Sequence, residues 1–164
     1  MTPLSPCLWF DDDLEQAVEF YTSVFPDSEI IHVTRLPGPG ESERVMVAEW
    51  TVNGVRFKGI NGGPDHAGFT ETISFAVDCA NQAEVDRYWD ALTADGGSES
   101  MCGWLKDRFG LSWQIVPVRL HELIADPDPA RAQAAVGAML SMQRIVVADL
   151  EAAADAAAAP TSGG

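Results

Sequence analysis

The chain is poor in positive charge. Ten lysines and arginines face 25 acidic residues, a formal net charge of −15 over 164 residues. Such a surface repels phosphate backbones and anionic lipid headgroups, so neither nucleic acid nor membrane is expected as a partner. Cysteine is scarce as well. Cys7, Cys79 and Cys102 are far apart, odd in number and form no CxxC, which argues against a disulfide scaffold and points to a reduced, cytoplasmic setting. No apolar run reaches the length of a membrane span, and MTPLSPCLWFDDD has no basic stretch before a long apolar core, so no signal peptide is expected. The three histidines, His32, His66 and His121, show no ligand-like spacing and read as surface or packing residues.

What the chain does have is alternation. LSPCLWF (4–10) reads as a strand, and Asp11 to Asp13 offer caps for a helix over 14–25, where Leu14, Val18, Tyr21 and Phe25 recur at helical spacing. EIIHVTRL (29–36) is rich in β-branched residues. ERVMVAEWTV and VRFKGI flank Asn53-Gly54, a two-residue hairpin signal. A turn-rich linker, NGGPDHAG (61–68), follows.

The pattern then restarts. FTETISFAV (69–77) reads as a strand, 81–94 as a helix and DGGSES as a loop. MCGWLKD and LSWQIVP form a second hairpin around Arg108-Phe109-Gly110. A shift of 67 residues carries Asp11 onto Asp78, Val18 onto Val85 and Tyr21 onto Tyr88. Matched order and spacing indicate an internal repeat, although two amphipathic helices alone could agree by chance. The remainder, 119–154, is nearly all helix former. Asp-Pro steps at 126–127 and 128–129 suit a cap before a first-turn proline, and Ala130, Ala134, Met139 and Met142 suggest a buried stripe. Residues 156–164 read as a disordered tail.

These words, TPLSPCLWF, EQAVEFYTSVFPDSEI, NGGP, CGWLKDRFGLSWQIVP and DPDPARAQ, resemble the PhnB-like family. That family is often labelled a 3-demethylubiquinone-9 3-methyltransferase domain and sits in the vicinal-oxygen-chelate superfamily of glyoxalase I, extradiol dioxygenases and bleomycin- and fosfomycin-resistance proteins. The resemblance implies an α+β fold: paired βαβββ modules, about 3–60 and 69–117, forming a curled eight-stranded cup within 1–118, with a helical extension over 119–155. It also implies a small-molecule ligand in the cup and a homodimer.

The resemblance carries a metal question. Metal-dependent members place histidine, glutamate or glutamine inside the cup, and the matching positions here are Pro6, Ala48 (or Glu49, one residue on), Thr72 and Gln114. Only Gln114 is a credible donor, and one neutral amide does not hold a divalent ion, so no metal and no other cofactor is expected. Strand alternation sends Ser112 and Gln114 into the cup and Leu111, Trp113 and Ile115 under the helices. Trp50 is expected on the cup side, by alternation from Ala48, and Trp104 with it. The expected ligand-binding set is Trp50, Thr72, Ser74, Cys102, Trp104, Ser112 and Gln114.

Other chemistry reads weaker. Gly38-Pro39-Gly40 lacks the third glycine and following helix of a nucleotide loop, so the methyltransferase label finds no support in the sequence. Cys102 has no histidine nearby in sequence and reads as a small buried residue rather than a nucleophile. Asp11 to Asp13 read as caps rather than metal ligands. The leading expectation is a metal-independent ligand-binding protein of this family with activity open. Its alternatives are a metal-dependent lyase, isomerase or dioxygenase, and a protein that sequesters a toxic compound.

Overall fold

The structure, a computed structural model, describes residues 4–37, 43–66 and 68–158. The chain divides into two compact units, Met1–Gly68 and Phe69–Gly164.

The first unit is one βαβββ module. β1 (Cys7–Phe10) leads to α1 (Leu14–Val24), β2 (Ile30–Pro37), β3 (Glu43–Val52) and β4 (Val55–Asn61). The sheet order is β1-β4-β3-β2, with β1 parallel to β4 and the other pairs antiparallel. Asn53 and Gly54 both have positive φ, 50° and 74°, so the expected tight β3–β4 hairpin forms. α1 buries Leu14, Ala17, Val18 and Tyr21. Its cap differs from expectation. No aspartate side chain caps it; instead Asn61, 2% exposed, accepts from Leu14 N at 3.0 Å and donates to Val45 O at 2.9 Å. Asp12 pairs with Arg44 at 2.6 Å. Gly38-Pro39-Gly40 lies outside the described residues.

The second unit repeats the module. β5 (Ser74–Cys79), α2 (Gln82–Thr93), β6 (Ser98–Glu99), β7 (Trp104–Lys106) and β8 (Ser112–Pro117) give the order β5-β8-β7-β6, again with the outer pair β5 and β8 parallel. A single 3₁₀ turn, Ala94–Gly96, ends α2, and Asn81 caps its start by accepting from Glu84 N. Two boundaries correct the sequence reading. The strand expected over 69–77 begins only at Ser74, and the expected loop DGGSES contains β6.

The tail is three helices: α3 (Val118–Ile124), α4 (Pro129–Leu140) and α5 (Val147–Ala158). Asp128 caps α4 by accepting from Ala130 N, with Pro129 at the first position. The Asp126-Pro127 step starts no helix; Asp126 binds Asp128 N and Arg131 instead. The buried stripe is shifted. Ala130 is exposed and Ala135 is fully buried, with Met139 and Met142 packed on Val116, Leu120, Leu123, Ile145, Leu150 and Ala154. α5 runs through Ala158, past the start of the expected tail at 156; residues 159–164 lie outside the described residues. Among the described residues no helix is long and apolar enough to cross a membrane.

Candidate functional site

Each sheet has a helix-covered face and an opposite face. In the second unit α2 packs on β5, β7 and β8. Its Trp89 Nε1 donates to Glu99 at 2.7 Å, and Glu99 sits beside Leu105, which pairs with Trp113. Leu105, Trp113 and Ile115 therefore form the covered face and are 3% exposed or less. The alternate residues form the opposite face in two rows. Ser74, Ser112, Lys106 and Ser98 are successive cross-strand partners, and Ala76, Gln114 and Trp104 are the next row.

This opposite face carries a groove of about 600 Å³, lined among others by Ser98, Met101, Cys102, Trp104, Lys106 and Ser112. Gln114 donates to Ser74 Oγ at 2.8 Å. Ser112 is 1% exposed, and its Oγ has no hydrogen-bond partner among the described residues. A buried hydroxyl left unpaired costs about 1–3 kcal/mol, so a water or a ligand group is expected to pair with it. Lys106 is held by Glu71, which comes from the turn before β5 and also lines the groove. That contact holds the Glu71 carboxyl below its ordinary pKa, with Lys106 hydrogen bonding the leading cause.

One wall is strained. Cys102 has φ 60° and Gly103 φ 82°, and Trp104 N donates to Met101 O at 3.1 Å. This is a two-residue turn of the kind that favours Asn-Gly, with cysteine at the first central position. The segment between α4 and α5 pins it: Cys102 N and Gly103 N donate to Met142 O and Gln143 O at 2.7 and 2.8 Å. A Cβ on Gly103 would lie 2.8 Å from the Ile115 carbonyl oxygen, and its φ is positive, so glycine is required where this segment closes in.

The expected residues therefore separate. Cys102, Trp104 and Ser112 line the groove; Ser74 and Gln114 share its sheet face. Thr72 lies in the turn before β5, exposed, its hydroxyl 2.7 Å from that of Thr70, because the strand begins only at Ser74, two residues beyond it. Trp50 is on the other kind of face. It is fully buried, stacks on Phe57 at 5.7 Å, and shares with Leu14 of α1 the space over Gly59. The reason is that Ala48 is itself on the helix-covered face. The pairing of 47–52 with 55–60 is regular, so Trp50 follows Ala48 onto that face, and Glu49 between them takes the opposite one. Lys106 and Glu71 went unremarked in the sequence. The alternation Trp104-x-Lys106 was the available signal for the first; Glu71 comes from outside the sheet and had none.

The first unit has its own row. Cys7, Lys58, Glu49 and His32 are successive cross-strand partners on the face away from α1. Glu49 lies 3.2 Å from Lys58 and 3.9 Å from Arg56. The 67-residue shift carries Cys7 onto Ser74, and Lys58 and Ser112 hold the same place beside them. A divalent metal needs several imidazole, carboxylate or thiolate donors converging on one point. The first row does contain Cys7, Glu49 and His32, but Lys58 stands between Cys7 and Glu49, the Glu49 carboxylate is taken by Lys58 and Arg56, and His32 Nε2 lies 3.0 Å from the Thr34 hydroxyl. The second row offers an ammonium and hydroxyls, and Pro6 precedes β1, so the residues do not fit a divalent metal. Among the described residues no cluster of three histidine, cysteine or carboxylate groups is placed to hold an ion.

The family described as 3-demethylubiquinone-9 3-methyltransferase matches residues 2–116. A PhnB protein of Bacillus cereus, described by the same methyltransferase name, is 32% identical over 71% of this chain and 100% of its own, with a TM-score of 0.64. Protein PA1353 of Pseudomonas aeruginosa shares the fold at 21% identity and TM-score 0.58, over 71% and 98% of the two chains. The fosfomycin resistance protein FosX of Listeria monocytogenes, solved with Mn(II) and a dihydroxypropylphosphonic acid, shares it at 19% and 0.50, over 70% and 91%. No curated protein matches. With two βαβββ modules in matching register and the family match running from residue 2 to 116, the chain belongs to the PhnB-like family of the vicinal-oxygen-chelate superfamily.

Proposed function

We propose that the chain binds a small organic molecule on the open face of its second module, without a resident metal. The carrying observation is the buried, unpartnered Ser112 hydroxyl in a groove walled by Trp104, Met101 and Cys102. An aromatic wall with a few fixed polar groups is the usual make-up of a small-molecule site. The methyltransferase name adds nothing to this reading, since among the described residues no glycine-rich loop leads from strand to helix. Three free cysteines support a reducing compartment, and the family supports a homodimer.

The test is a fragment titration followed by amide and indole NMR resonances. Saturable shifts at Ser98, Trp104, Lys106 and Ser112 support the reading. Shifts that never saturate, or that avoid this groove for every fragment, refute it. Turnover of whatever co-purifies, followed by mass spectrometry, separates an enzyme from a sequestering protein.

A further inference from the structure

Resting on that reading of the groove, we propose that its ligand carries a carboxylate that Lys106 binds, and that Glu71 is an intramolecular stand-in displaced when the ligand arrives.

The first support is what Lys106 holds now. In a chain of net charge −15, the lysines are Lys58 and Lys106, and each lies on the face of its sheet away from the helix. Lysine is donor only. Its partner here is a carboxylate from the turn 71–73, outside the regular hydrogen-bonded frame of β5. The two side chains are 38% and 64% exposed, and an exposed pair of this kind is weak. When it opens, Glu71 returns to water and no buried charge is stranded. A ligand carboxylate thus replaces the contact like for like.

The second support is independent. Ser112 is the cross-strand partner of Lys106, and its buried hydroxyl has no acceptor or donor among the described residues. A carboxylate has two oxygens; one at Lys106 leaves the other to accept from the adjacent hydroxyl. The hydroxyl is fully buried, so that second contact needs a local shift of the side chains over it. Trp104 and Met101 line the same groove and suit an apolar body attached to the carboxylate. The chain's overall negative charge opposes an anion, but at physiological salt such repulsion is screened beyond about 8 Å.

The probes are benzoate and its neutral counterpart benzamide, titrated against the full chain by NMR. Benzoate should bind tighter than benzamide, and both at the groove resonances. Glu71→Gln removes the competitor and should tighten benzoate about two- to fivefold, the scale of an exposed ion pair. Glu122→Gln, the same charge change on α3, should not. Lys106→Met should weaken benzoate about tenfold or more and leave benzamide nearly unchanged. Benzamide binding as well as benzoate, with no effect of Glu71→Gln, overturns the carboxylate inference while the groove reading stands. Weaker benzoate binding to Glu71→Gln makes Glu71 part of the site rather than its stand-in, and overturns it too. If neither probe binds, the inference fails, and the groove reading fails with it only when uncharged and cationic fragments also avoid these resonances.

Discussion

Asp107 is the residue whose replacement tests the construction of the site most sharply. It is 2% exposed, sits between Lys106 and the β7–β8 turn, and accepts three hydrogen bonds. Oδ1 takes Phe109 N at 2.9 Å and Leu111 N at 3.1 Å, and Oδ2 takes Trp113 Nε1 at 2.8 Å. Gly110, at φ 84°, completes the reversal. One carboxylate therefore fixes the turn and the orientation of Trp113, and through them the pairing of Lys106 with Ser112. Asp107→Ala orphans all three donors. Two of them, Leu111 N and the indole N–H, are buried. At about 1–3 kcal/mol for each buried orphan, and less for Phe109 N, which water can reach, the loss should be about 3–5 kcal/mol.

Asp107→Asn keeps one acceptor oxygen and turns the other into a donor facing either the backbone N–H groups or the indole. Its cost should be about half that of alanine. Adding Trp113→Phe to Asp107→Asn removes the opposed indole donor, so the double mutant should lose less than the sum of the singles by about 1 kcal/mol. Urea unfolding followed by near-UV circular dichroism measures all of these. For a chain of this length, 3–5 kcal/mol corresponds to a fall in Tm on the order of 10 °C. A loss under about 1 kcal/mol for Asp107→Ala, or strict additivity of Asp107→Asn with Trp113→Phe, would refute the assignment.

The neighbouring residues of β8 should part ways: Gln114→Leu changes stability by only about 1 kcal/mol but alters fragment affinity. Trp113→Ala costs about 3–5 kcal/mol with fragment preference intact, and the opposite pattern inverts the faces. Cys102→Asn should raise stability by about 0.5–1 kcal/mol in calorimetry, because asparagine tolerates the left-handed conformation that cysteine resists; a loss shows that the thiol makes a contact worth more than the strain. Burial pushes the Cys79 thiol up to about 12 from an ordinary 9.0. Above about pH 9 the unfolded thiol ionises while the folded one stays protonated, so stability should fall between about pH 9 and 12. Cys79→Ala should flatten that slope in urea titrations, and at pH 8 Ellman's reagent should modify exposed Cys7 but not native Cys79.

The repeat was legible because both modules spell the same order of elements at the same spacing, and hairpins such as Asn53-Gly54 have a local signature. Alternation in LSWQIVP also gave the faces of β8 correctly, since that strand pairs without a bulge. For Trp50 the alternation from Ala48 also holds, but its starting point was wrong: Ala48, matched to a ligand position of the family, lies on the helix-covered face, and Trp50 lies there with it. The cap of α1 was misread for a different reason. Asn61, 47 positions away, outcompetes three adjacent aspartates. Thr72 was misplaced because FTETI has β-branched residues, yet β5 begins only where it meets β8. Long-range partners decided the cap and the strand start.

The two lysines occupy different situations, and the difference leads to a last expectation. Lys58 and Glu49 belong to adjacent strands in register, so the carboxylate that neutralises Lys58 is anchored by the β3–β4 ladder and shared with Arg56. Its backbone is fixed beside Lys58, so only a rotamer change at Glu49, against the pull of two cations, frees that lysine. Lys106 is neutralised by a residue of a turn, which moves at the cost of one exposed ion pair. An incoming carboxylate would have to compete with a fixed partner at Lys58 and with a removable one at Lys106. Lys58→Met should therefore leave benzoate affinity within about twofold, the low end of an exposed ion-pair effect, whereas Lys106→Met abolishes the preference for benzoate over benzamide. Equal losses from both replacements would mean that the probe senses general positive charge, and that the turn carrying Glu71 has no special part in recognition.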